Sequence, residues 1–175
     1  ENANIIVTTS AVGGENWTTN NTLTVPCSVN DDRYSYTYTT TGASGFGYTY
    51  PGTGIFAAKY TMHGQGKVTG ASLFIYNGAA SPGNTIYAVV MNSAGAIVAQ
   101  PADYIITAGD LGTNKGFTFP TPPVFTDEEY YIGLAQTAGA AQWFPMGTFT
   151  ESPPRGNTFY EAAITGGTLT PLASS

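Results

Sequence analysis

The chain has 175 residues, 42% of them hydrophobic and only 9% charged, with a formal net charge of −6 and a pI near 4.4. That length and apolar content suit one domain with a full core. The five basic residues, Arg33, Lys59, Lys67, Lys115 and Arg155, are scattered, so the clustered cations that a nucleic acid requires are missing, and no apolar run approaches the roughly 20 residues that cross a bilayer as a helix. Charged residues fall well below the ~25% usual in soluble domains, and 27 Thr, 22 Gly and 12 Tyr take their place. Thr and Tyr suit pleated, half-buried surfaces, which predicts an all-β protein. A hydroxyl-rich, charge-poor composition is common in exported proteins, so an extracellular or cell-surface location is expected. No charged n-region with an apolar h-region opens the chain, so an export signal would already have been removed. Cys27 is alone, which excludes an intrachain disulfide.

In chain order, Asn4 to Ser10 and Thr22 to Val29 read as the first two strands, separated by a polar loop holding two sequons, Asn16-Trp17-Thr18 and Asn20-Asn21-Thr22. Tyr34-Ser35-Tyr36-Thr37-Tyr38-Thr39 alternates with period two and predicts a tyrosine stripe on one strand face. A turn over Gly42 to Gly47 leads to an extended Tyr48-Thr49-Tyr50, closed by Pro51-Gly52. Strands are expected at Ile55 to Met62, Val68 to Tyr76, Thr85 to Met91 and Ala96 to Ala99, the last two joined by an Asn92-Ser93-Ala94-Gly95 hairpin turn. Tyr104 to Thr107, Gly116 to Phe119, Tyr130 to Gln136, Gln142 to Phe144 and Thr158 to Ala163 complete the set. With no long helix between strands, a single antiparallel two-sheet sandwich of jelly-roll type is expected for residues 1–175.

Chemistry-bearing residues are sparse. His63 is the sole imidazole, in a predicted turn, and no nucleophile elbow accompanies it. Cys27 and His63 do not make a zinc motif, and Cys27 in an apolar strand reads as a small buried hydrophobe. Of the eleven acids, Glu129 and Glu161 alone are expected in strands, and nothing in the sequence converges them on one glycosidic bond. No catalytic residue is assigned. Asn30, Asp31 and Asp32, with Asp127 and Glu128, are oxygen-rich turns that could contribute to a structural calcium site, the one candidate cofactor; the same side chains could instead bond their own turn backbone. Exposed aromatics could stack on sugar rings, with Trp17, Tyr48, Tyr50 and Trp143 as candidates. The stripe of Tyr34, Tyr36 and Tyr38 is expected to face the opposite sheet.

The segments GIFAAKYTMHGQGKVTGASLFIYNG, SPGNTIYAVVMNSAGAIVAQ and KGFTFPTPPVFTDEEYYIGLAQ, within Gly54 to Thr137, resemble a β-sandwich domain of large secreted and cell-surface proteins of Bacteroidota. The resemblance covers about half the chain and rests on strand rhythm. It implies surface display, adhesion or polymer association and carries over no catalytic residues. The Lys-containing C-terminal β-domain that such proteins use for export is not evident before Ser175, which leaves an excised module or a different export route. The expected function is therefore a non-catalytic extracellular adhesion or filament module. The alternative is a carbohydrate-binding module. Expected partners are other protein subunits or surface polysaccharide, with homopolymer formation by donation of the N-terminal strand as a variant.

Overall fold

The structure is a computed structural model that describes residues 2–10, 13, 21–28, 32–35, 44–149 and 156–172. The chain divides into two compact units, Glu1–Tyr38 and Thr39–Ser175.

In the first unit, β1 (Asn2–Thr8) and β2 (Thr22–Ser28) form a two-stranded antiparallel ribbon. The register sets Val7 opposite Leu23, Ile5 opposite Val25 and Ala3 opposite Cys27. β1 is paired with β2 along its whole length, which occupies one of its edges. Tyr34, the first residue of the expected tyrosine stripe, departs from expectation. Residues 32–35 form no strand, so no sheet face exists there to bury Tyr34, which is 64% exposed. Tyr36 and Tyr38 lie outside the described residues.

The second unit contains β3 (Ser44–Phe46), β4 (Gly54–Thr61), β5 (Gln65–Lys67), β6 (Gly70–Phe74), β7 (Thr85–Asn92), β8 (Ile97–Ala99), β9 (Tyr104–Ile105), β10 (Asn114–Thr118), β11 (Val124–Thr126), β12 (Glu129–Gln136), β13 (Met146–Thr148), β14 (Phe159–Ala162) and β15 (Thr170–Pro171). Every pairing among them is antiparallel. A seven-stranded sheet runs β15-β14-β4-β12-β7-β8, with β9 also on β7, and the remaining strands form the two-stranded ribbons β6–β10, β5–β11 and β3–β13. The all-β antiparallel architecture is as the sequence predicts. No helix among the described residues is long and apolar enough to cross a membrane.

The central strands β4, β12 and β7 explain why the sheet is stable. β7 carries six consecutive buried residues, from Ile86 to Met91, so both of its faces are covered. Ile86, Ala88 and Val90 join Tyr130 and Leu134 of β12 in a core that also takes Val68, Ile75, Phe117, Phe119 and Phe125 from the ribbons and their loops. Their alternates Tyr87, Val89 and Met91 pack with Ile55, Ala57, Tyr131, Ala135, Tyr160 and Ala162, against which Ile97, Ile164 and Leu169 lie. Each fully buried aliphatic contributes about 1.5–3 kcal/mol, so register errors in β7 are costly on both sides. The segment after β14 is tied down by backbone contact: Gly167 N donates to Gly95 O at 2.9 Å. A β-carbon on Gly95, whose φ is +78°, would run into the Gly167 carbonyl.

Candidate functional site

The residues with most to offer a ligand gather where β12 ends. Gln136, its last residue, is buried at 1% exposure. A buried amide is costly unless its donors and acceptor are paired, and here each is used. Gln136 Oε1 accepts from Tyr48 N at 2.7 Å, while Nε2 donates to Trp143 O at 3.2 Å and Tyr48 O at 3.3 Å. Gln142 repeats the pattern: Oε1 accepts from Tyr50 N at 2.7 Å, and Nε2 donates to Tyr48 O at 3.2 Å and Trp143 O at 3.4 Å. Two glutamine side chains thus bond Tyr48–Tyr50 as a neighbouring strand would. This is why a segment that alternates like a strand forms none. Gly47 lets the chain pass, since a β-carbon there would sit 2.6 Å from Gln136 Oε1 and 2.9 Å from Pro145 Cδ.

This clasp sorts the aromatic side chains. The Tyr48 ring is half-buried and stacks on Phe56 with centroids 4.2 Å apart. Its hydroxyl donates to Ile55 O at 3.1 Å, and its pKa is pushed up to about 12, by burial first and then by the charge of Glu161. Trp143 is 3% exposed, so the expectation that its ring meets a ligand is corrected: it belongs to the core, because the residue following it takes the outward direction. That residue, Phe144, is 37% exposed, with its carbonyl accepting from Ser81 Oγ at 3.1 Å. Tyr50 is 51% exposed. Of the four aromatic candidates, Tyr50 offers an open ring, Tyr48 is half-buried on Phe56 and Trp143 is buried; Trp17 is outside the described residues. Phe144, Gln136 and Gln142 were not legible as site residues, although Phe144 is one alternation step from Trp143. Neither 44–58 nor 136–149 contains an Asp, Glu, Lys, Arg or His.

The oxygen-rich turns are not brought together. Asn30 and Asp31 lie outside the described residues, and Asp32 is exposed in the first unit. Asp127, at φ 46°, accepts from Gly64 N at 2.7 Å through Oδ1, and Glu128 Oε1 accepts from Thr126 N at 3.4 Å. Glu128 therefore bonds its own turn, whereas Asp127 ties that turn to the distant Gly64 backbone between β4 and β5. Among the described residues no three His, Cys, Asp or Glu side chains converge. His63 is exposed in the loop after β4. Glu129 pairs with Lys59 at 3.0 Å across β12 and β4. Asp110 has the richest set of partners: Oδ2 accepts from Tyr104 OH at 2.7 Å, Thr107 N at 2.8 Å and Thr107 Oγ1 at 2.7 Å, and Oδ1 lies 3.4 Å from Lys115 Nζ. Burial raises its pKa, but the bonds from Thr107 and Tyr104 and the Lys115 charge outweigh that and hold it down to about 2. These bonds fix the 3-10 turn Ala108–Asp110 between β9 and β10.

No family model, curated protein or solved structure matches this chain.

Proposed function

We propose that this chain is a non-catalytic module of an exported, surface-displayed protein, in which a β scaffold presents loops and strand edges for adhesion. The observation that carries this reading is that the central strands are buried on both faces. Contact with a partner then falls to the periphery, where the exposed large apolar side chains of the second unit lie: Tyr50, Val98, Ile105, Val124, Phe144 and Phe159. Asp110, Asp127, Glu128 and Glu129 are engaged by the scaffold itself, which supports a structural use of charge. The segment that resembles Bacteroidota surface domains, Gly54 to Thr137, supplies β4 to β12. A second reading, carbohydrate binding, is favoured by the open Tyr50 ring on its amide-clasped loop.

The test is retention of beads coated with the purified chain on intact cells and insoluble polysaccharide, against beads carrying an unrelated acidic β protein. Specific retention with no release of reducing ends over a day of incubation is expected. Retention equal to the control, or steady product release, would overturn the proposal.

A further inference from the structure

We infer that the corner built from Tyr48–Pro51 and Gln142–Phe144 binds an uncharged sugar chain, with Tyr50 and Phe144 as the contacting rings and Gln136 and Gln142 as positioning residues. The inference rests on the surface-module reading and assigns it a site and a ligand class. Single exposed apolar side chains are ordinary, so exposure alone decides nothing. What distinguishes this corner is how its backbone is held. Tyr50 and Phe144 sit on two segments with no strand partners, yet Tyr48 N, Tyr48 O, Tyr50 N and Trp143 O are bonded by the two glutamine amides, and Phe144 O by Ser81. The Tyr48 ring stacked on Phe56 braces the same loop from beneath. Ordering a loop on binding costs free energy, and a loop ordered beforehand avoids that cost. Tyrosine adds a large, rigid, amphipathic face at low entropic cost.

Charge selects the ligand class. The chain carries −6 overall, and the two segments forming the corner contain no Asp, Glu, Lys, Arg or His, while the Glu161 carboxylate of β14 acts on the Tyr48 phenol. An acidic polymer would find no cation on either segment and would meet net repulsion, to which Glu161 adds. A neutral sugar places its C–H face on an aromatic ring, while its hydroxyls can reach the Tyr50 phenol and the exposed Thr49 and Thr53.

The Trp143 carbonyl accepts from both glutamine amides of the clasp. Tryptophan fluorescence of the full chain carrying Trp17→Phe, in which Trp143 alone emits, is followed while soluble neutral glycans (mixed-linkage β-glucan, galactomannan, dextran) and the acidic polymer alginate are titrated in. A saturable change with at least one neutral glycan and none with alginate is expected. Tyr50→Ala and Phe144→Ala should each weaken binding about tenfold at unchanged melting temperature, and Tyr50→Trp should retain it. Gln142→Leu should weaken binding with both rings present and speed hydrogen exchange at the Tyr50 amide, which a residue without a positioning role would not do. If coated beads are retained on cells but no neutral glycan saturates, the site assignment is overturned and the surface-module reading stands. If retention also fails, both fall. Preference for alginate or for an apolar peptide, or binding undiminished in both ring variants, likewise overturns the inference.

Discussion

Asp110→Asn isolates the charge of the most heavily bonded acid in the described structure. The substitution keeps size and shape but removes the negative charge that Tyr104, Thr107 and Lys115 address. The carboxyl pKa falls from 3.8 to about 2 on folding, which at 1.36 kcal/mol per pH unit is about 2.4 kcal/mol. Lys115 and the rim of the cluster meet solvent, and screening brings the expected contribution to about 1–1.5 kcal/mol. For a chain of this size that is a fall of about 3–5 °C in melting temperature. Because the folded pKa is the depressed one, this stability is present above the unfolded pKa and is lost as pH drops through about 2. Urea unfolding of both proteins should therefore show a gap that is steady near pH 7 and closes between about pH 4 and pH 2, with equal slopes if the unfolded states match. A gap of the same size near pH 7 and near pH 2 would refute the electrostatic account.

Three further outcomes follow from the same contacts. Gln136→Leu leaves the Tyr48 amide and the Trp143 carbonyl without their buried partner, so a loss of about 1–3 kcal/mol is expected by urea unfolding, together with greater acrylamide quenching of Trp143; unchanged stability would mean that the clasp is not needed. Gly95→Ala places a methyl against the Gly167 carbonyl at φ +78° and should cost about 1 kcal/mol or more, with faster hydrogen exchange at the Gly167 amide as its local signature. In ultraviolet titration the Tyr48 phenol should ionise near pH 12, and Tyr48→Phe should remove that late step. Stability held by the neutral phenol is present below the unfolded pKa of about 10 and is lost as pH rises through about 12, so Tyr48→Phe, which cannot ionise there, should lose less stability across that range than the parent chain.

The strands that were legible are those whose own residues settle the matter. Thr85 to Met91 is a continuous apolar run between two turns and appears as β7 (Thr85–Asn92); Tyr130 to Gln136 appears within β12 (Glu129–Gln136). Both are central strands, where apolar content and β propensity agree. Tyr48–Tyr50 and Gln142–Phe144 have the same local look and form no strand. The amides of Tyr48 and Tyr50 donate to side chains 88 and 92 residues away, and the Phe144 carbonyl accepts from Ser81, 63 residues away, which no local window contains. The ribbon β5–β11 was missed for a related reason: its strands are three residues each and exist through their pairing with one another, whereas β6 and β10 fall within or beside expected strands. Trp143 invited a surface role because large aromatics are common in binding sites, but the core needed a ring at that position and Phe144 took the outward one.

What the sequence by itself determined is the all-β class, the positions of the central strands and the poverty of charge, because these follow from composition and from a side-chain period of two. Which of two successive rings meets solvent was decided by the tertiary structure alone. Alternation says only that neighbours point in opposite directions; the direction that becomes the inside depends on what packs there, and at this corner that is set by Gln136 arriving from the far end of the central strand.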